Sequence, residues 1–168
     1  QDKIGYQQIG SFAIAAAAGT GSISANSSKR FKHVTGILLS IAGDEDGAQS
    51  STFTKLEIDG EEVFPNPFDA KLIQIAANTD VPANEKFFEP RDSFRNLIPW
   101  RADGSLVTIN YTDGSFSGAT YPYTVRIFLK LENLDEECMK EQNRFMTFLK
   151  TMFKKFKEQN PDNDQGGI

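Results

Sequence analysis

The side chains able to do chemistry are few. His33 is the single imidazole in 168 residues, and Cys138 is the single thiol. A nucleophilic triad would need His33 beside both a serine and an aspartate. The sharp Gly-x-Ser-x-Gly turn that presents such a serine is also missing, since Gly114-Ser115-Phe116-Ser117-Gly118 carries Phe at its centre. One imidazole rules out the helical two-His zinc site, and one cysteine rules out an internal disulfide framework. His33 follows Arg30 and Lys32 and reads as a strand residue near a sheet edge, whereas Cys138 reads as a small apolar residue on a helix face.

The carboxylates and glycines point the same way. Glu61-Glu62, or Asp44 with Asp46, are pairs of the kind that glycoside hydrolysis or calcium binding uses. Yet Asp44-Glu45-Asp46-Gly47 lacks the later glutamate that closes a twelve-residue calcium loop, so it reads as a solvated loop. Gly19-Thr20-Gly21-Ser22 has neither the lysine of a P-loop nor a helix behind it. Asn26-Ser27-Ser28 and Asn110-Tyr111-Thr112 match the glycosylation triplet, but with no leader read before them they count as chance matches. The expectation is a protein that is not an enzyme, with no catalytic residue, no metal and no cofactor.

Eighteen basic against 23 acidic residues give a net charge of -5, which does not suit a general nucleic-acid binder. Hydrophobic residues at 39% and charged residues at 24% describe a globular chain. No run approaches the roughly 18 apolar residues of a spanning helix, and no secretion signal is read at the start of the chain.

Whatever these residues do must be positioned by strands. From Ile4 to Leu131 the chain alternates apolar and polar residues in eight or nine short runs separated by Gly, Asp, Asn and Pro, the pattern of half-buried antiparallel strands. Phe12, Ile14, Ala16 and Ala18 share a face, and Ile23 opens the next run. Phe31 to Ile41 reads as a long strand, in which Ile37-Leu38-Leu39 asks for cover on both sides. Phe53, Lys55 and Glu57 fall opposite Thr54, Leu56 and Ile58, and Asp59-Gly60 closes a tight hairpin. Leu72 to Ile75 and Phe87-Phe88 read as further strands, with Trp100 in a loop after Pro99. Leu106, Thr108 and Asn110 lie opposite Val107, Ile109 and Tyr111, and the cleanest alternation is Tyr123, Val125, Ile127, Leu129 and Leu131. Such a series without helices predicts a mainly β fold over residues 1–132, an antiparallel β-sandwich with jelly-roll topology preferred.

The pattern changes at Asn133. Residues 133–160 read as an amphipathic α-helix, with Asn133 as N-cap, acidic residues in the first turn and Lys150, Lys154, Lys155 and Lys157 in the last. Residues 161–168 read as a flexible tail. Phe145, Leu149, Met152, Phe153 and Phe156 form a stripe that must be buried somewhere: on the chain's own body, between copies, or on another protein. The lysine-rich end suits a lipid or nucleic-acid surface.

Ser24-Ala25-Asn26-Ser27-Ser28-Lys29-Arg30 leading into His33-Val34-Thr35-Gly36-Ile37, then Leu56-Glu57-Ile58-Asp59-Gly60-Glu61-Glu62-Val63, then Tyr121-Pro122-Tyr123-Thr124-Val125-Arg126-Ile127-Phe128-Leu129, follow one another in a telling order. That order resembles the single jelly-roll capsid and vertex proteins, penton or minor capsid, of tailless icosahedral bacteriophages with an internal membrane. The resemblance implies a viral structural protein located in the virion, and in the cytoplasm before assembly. It further implies a homo-oligomer, pentamer or trimer, that contacts other capsid proteins and, through its C-terminal helix, the internal membrane or genome. The family supplies no catalytic residues. The competing expectation is a carbohydrate-binding or adhesin-like module stacking sugars on Trp100, Tyr111, Tyr121 or Tyr123.

Overall fold

The computed structural model describes residues 4–42, 50–74, 87–115, 119–134, 148, 151 and 152. The chain divides into two compact units, Gln1–Asn133 and Leu134–Ile168. In the second, Phe148, Thr151 and Met152 have α-helical geometry.

The first unit is mainly β. Its strands are β1 (Ile4–Ile14), β2 (Thr20–Asn26), β3 (His33–Ala42), β4 (Thr52–Ile58), β5 (Glu61–Glu62), β6 (Phe68–Asp69), β7 (Trp100–Arg101), β8 (Leu106–Thr112) and β9 (Tyr123–Glu132). They form two antiparallel sheets, ordered β1-β9-β3-β7 and β2-β8-β4-β5, with β6 also on β4. The pairing is nested: β1 with β9, β2 with β8, β3 with β7, β4 with β5.

Alternation drives this arrangement, since successive strand side chains point to opposite faces. Val125, Ile127, Leu129 and Leu131 of β9 join Val107, Ile109 and Tyr111 of β8 in one buried apolar cluster fed by both sheets. Each such side chain contributes roughly 1.5–3 kcal/mol on burial. At the β1–β2 edge, Gln7 stitches one sheet to the other. Its Nε2 donates to the Asn26 carbonyl at 3.2 Å, and its Oε1 accepts from the Ser28 amide at 2.8 Å.

Several expectations are corrected. The first strand ends at Ile14. Ala16 to Ala18 form the turn, where the Gly19 amide donates to Ala16 and Ala18 sits at φ 57°. In β4, a register shift between Phe53 and Lys55 leaves Thr54 as an extra outward residue, so Phe53, Leu56 and Ile58 all face the core. Leu72 closes a 3-10 turn, Ala70–Leu72, rather than opening a strand. His33, by contrast, is a strand residue near a sheet edge as expected, lying between Arg101 of the edge strand β7 and Glu132 of β9. Trp100 is strand rather than loop, paired with Val34 and 7% exposed. The Asp59-Gly60 hairpin forms as expected, with both residues at positive φ.

Candidate functional site

At the end of the sheets where β8 stops and β9 begins, a carboxylate is buried among phenols. Asp113 is 3% exposed. Its Oδ1 accepts from the Tyr123 hydroxyl at 2.5 Å, and its Oδ2 from the Tyr121 hydroxyl at 2.7 Å and the amides of Ala18 and Ser115 at 3.0 Å each. The Tyr111 and Tyr123 hydroxyls lie 3.1 Å apart, and the Gly114 amide donates to Ser51 Oγ at 3.0 Å. The turn after β1 and the β8–β9 connection therefore meet on one anion, and the residue before β4 is tied to the same connection through Gly114.

Desolvation pushes the Asp113 carboxyl up, but the Tyr123, Tyr121, Ser115 and Ala18 donors outweigh it and leave its pKa below the ordinary value. Burial, together with the neighbouring carboxylate and phenol, drives the Tyr123 hydroxyl far upward, and burial raises Tyr111 too. A carboxylate held by four donors with its pKa lowered is a poor base, and a phenol whose pKa is raised is a poor nucleophile. The cluster acts as an anchor for three chain segments.

A second polar cluster lies on the outward face of β9. Lys130 Nζ is 2.6 Å from Glu89 and 3.5 Å from Glu132, and Arg91 is 2.6 Å from the other Glu89 oxygen. Burial penalises both charged forms. The mutual ion pairs nevertheless prevail, lowering the Glu89 pKa and raising that of Lys130. This pins the segment that begins at Phe87 along β3, where Phe88 and Ile37 exchange backbone bonds of 2.8 and 2.9 Å. Phe87 crosses the face to Tyr6 of β1, ring centroids 5.4 Å apart, and passes over Gly36. A Cβ at position 36 would lie 2.9 Å from that of Phe87.

Beyond this pinned segment, residues 90–98 make a largely exposed turn. The Asp92 carboxylate accepts from the Phe94 amide at 2.9 Å, the Asn96 amide at 2.8 Å and Asn96 Nδ2 at 3.1 Å. The Ile98 amide donates to Pro90, and Arg91 donates to the Arg95 carbonyl, both at 2.9 Å. Phe94 stands 52% exposed at the tip, between the exposed Arg91 and Arg95.

The sequence-predicted aromatic residues lie in the core or against it. Trp100, Tyr111 and Tyr123 are core side chains with no ring face open to a sugar, and the half-buried Tyr121 has its hydroxyl committed to Asp113. Met152 is 54% exposed. Phe145, Leu149, Phe153, Phe156, Lys150, Lys154, Lys155 and Lys157 lie outside the described residues. Sequence reasoning missed Asp113, read only as an Asp-Gly turn, and missed the Phe94 tip, although Asp92 and Asn96 around it are turn-forming types. Among the described residues no group of three or more His, Cys, Asp and Glu is arranged to hold a metal ion, and no helix is long and apolar enough to cross a membrane.

No protein-family model, curated protein or solved structure matches this chain.

Proposed function

We propose that this chain is a structural protein of a bacteriophage particle, a capsid or vertex subunit that works by assembling with copies of itself, and that its two sheets form a single jelly roll. The observation that carries the reading is the nested pairing of β1 with β9, β2 with β8, β3 with β7 and β4 with β5, wound so that β9 also reaches β3 and β8 also reaches β4. Pairing in that order is the pattern expected of a two-Greek-key jelly roll, a fold found in viral capsids, and it supports the reading. The step from fold to role is an analogy at the level of the fold.

Two further features support assembly. The polar clusters tie loops to the scaffold, which suits a rigid building block. Large apolar side chains also stand in water: Ile4, Tyr6, Leu72, Phe94, Ile98 and Leu106 are each about half exposed. Residues 133–160 form, in this reading, an amphipathic helix that makes an inter-subunit or particle-interior contact. The helical geometry at Phe148, Thr151 and Met152 supports it.

Size-exclusion chromatography with light scattering on the full chain, combined with electron microscopy of the eluted species, tests the reading. Closed rings or trimers of defined symmetry are expected. A single-chain mass at every concentration up to the millimolar range overturns it.

A further inference from the structure

The turn at residues 90–98 is ordered and largely exposed. Its backbone is braced on Asp92, where desolvation raises the carboxyl but the Asn96 and Phe94 donors more than compensate, and its base is fastened through Arg91, Glu89 and Lys130. An aromatic ring and a guanidinium held on an ordered turn lose little freedom on binding, and Phe and Arg are both enriched in protein interfaces. Among the described residues the Arg95 side chain has no ion-pair partner.

The rest of the chain carries the complement. The β4–β5 hairpin exposes Asp59, Glu61 and Glu62, and Glu61 also lacks an ion-pair partner among the described residues. Leu106, 48% exposed, lies directly beside it, because the Asp59 amide donates to the Leu106 carbonyl at 2.9 Å. An exposed leucine next to three carboxylates matches an exposed phenylalanine next to an arginine in both polarity and charge. The bases of the two features touch: Phe88, two residues before Pro90, packs on Phe64, two residues after Glu62, with ring centroids 4.8 Å apart. The two features therefore rise from adjoining bases, the arrangement in which a two-fold axis passing beside them sets each tip against the partner's hairpin.

We propose that the Phe94–Arg95 tip docks on the Asp59–Glu62 hairpin of a second copy of this chain, Phe94 against Leu106 and Arg95 against Glu61, each copy giving and receiving one contact. This rests on the assembly reading above and specifies one of its interfaces, a two-fold contact rather than a contact around a ring.

The test uses the full chain and reads the association constant by light scattering and sedimentation. Arg95→Glu, Glu61→Arg and Phe94→Ser should each weaken association by about tenfold or more, and the double swap Arg95→Glu/Glu61→Arg should restore most of it. Raising salt should weaken the wild type but not Arg95→Glu. These side chains are exposed, so an unchanged melting midpoint checks that the variants fold. A wild type that assembles yet ignores Arg95→Glu, or a swap that fails to restore association, overturns this contact and leaves the assembly reading standing. A wild type that never associates overturns both.

Discussion

The Tyr123 hydroxyl donates to the Asp113 carboxylate across 2.5 Å, linking the first residue of β9 to the connection that follows β8. Both side chains are buried, so water cannot replace the bond when it is lost. Tyr123→Phe removes one donor from a buried anion and keeps the ring in the core. A hydrogen bond to a charged group is worth about 1.5–3 kcal/mol, so urea unfolding should show a loss of that size with an unchanged slope. Tyr121→Phe should cost less, because its ring is only half-buried. Equal stability of Tyr123→Phe and wild type would mean that the anion does not depend on this donor.

Acid should undo the same anchor. The folded Asp113 pKa lies below its ordinary value, so its stabilisation is complete above the unfolded value of about 3.9 and disappears as pH falls through the lower folded value. Asp92 and Glu89 are lowered as well and add slopes of the same sign. The contribution of Asp113 is isolated by comparing wild type with Asp113→Asn. The gap in unfolding free energy should be full at pH 7 and narrow steadily below about pH 4. A gap that stays constant down to pH 2 would contradict a depressed carboxyl.

At the other end of the scale, Lys130 and the two buried phenols titrate above their ordinary values. Groups raised by folding stabilise below the unfolded pKa, about 10.4 for Lys and about 10 for Tyr, and lose that contribution as pH rises through the folded pKa. Alkaline unfolding should therefore coincide with the ionisation of Tyr111 and Tyr123 followed by ultraviolet absorbance. Ionisation of both phenols well before the loss of tertiary structure would count against the buried network.

How much of this was legible depended on whether the signal was local. β8 and β9 follow directly from alternation, because each is regular from end to end and one face of each is core. β4 defeated the same rule, since the extra residue at Thr54 reverses the phase between Phe53 and Leu56. Pro99 disguised Trp100 as a loop residue, although proline is tolerated next to a two-residue edge strand. Asp113 was invisible for a different reason: it meets Ala18 across 95 positions, and no spacing along the chain encodes that contact. Gly36 is likewise explained only by a residue distant in sequence, Phe87, which lies over it.

Gly114 tests how tightly the anchor is closed. A Cβ there would fall 2.1 Å from the Ser50 carbonyl carbon and 2.2 Å from its oxygen, and these are backbone atoms that cannot swing aside. Gly114→Ala should displace the Ser50–Ser51 backbone, loosen the Gly114–Ser51 bond and cost more than about 2 kcal/mol, well beyond an ordinary surface change. Thermal unfolding measures this, and a variant within about 0.5 kcal/mol of wild type would show that the neighbouring segment yields freely.

Trp100 separates the assembly reading from a sugar-binding one. Its indole is packed in the shared core and its backbone pairs with Val34, so its work is structural. Trp100→Ala should cost about 3–5 kcal/mol through the cavity it leaves, and Trp100→Phe appreciably less. Glycan binding on an array, compared between wild type and the folded Trp100→Phe protein, should show no signal that the substitution removes. Loss of a specific glycan signal in Trp100→Phe, with the melting midpoint little changed, would instead mean that the ring meets ligand. In that case β7 would have to open away from β3 for the indole to reach solvent, and the amides of Trp100 and Arg101 should then exchange with deuterium faster than those of β9.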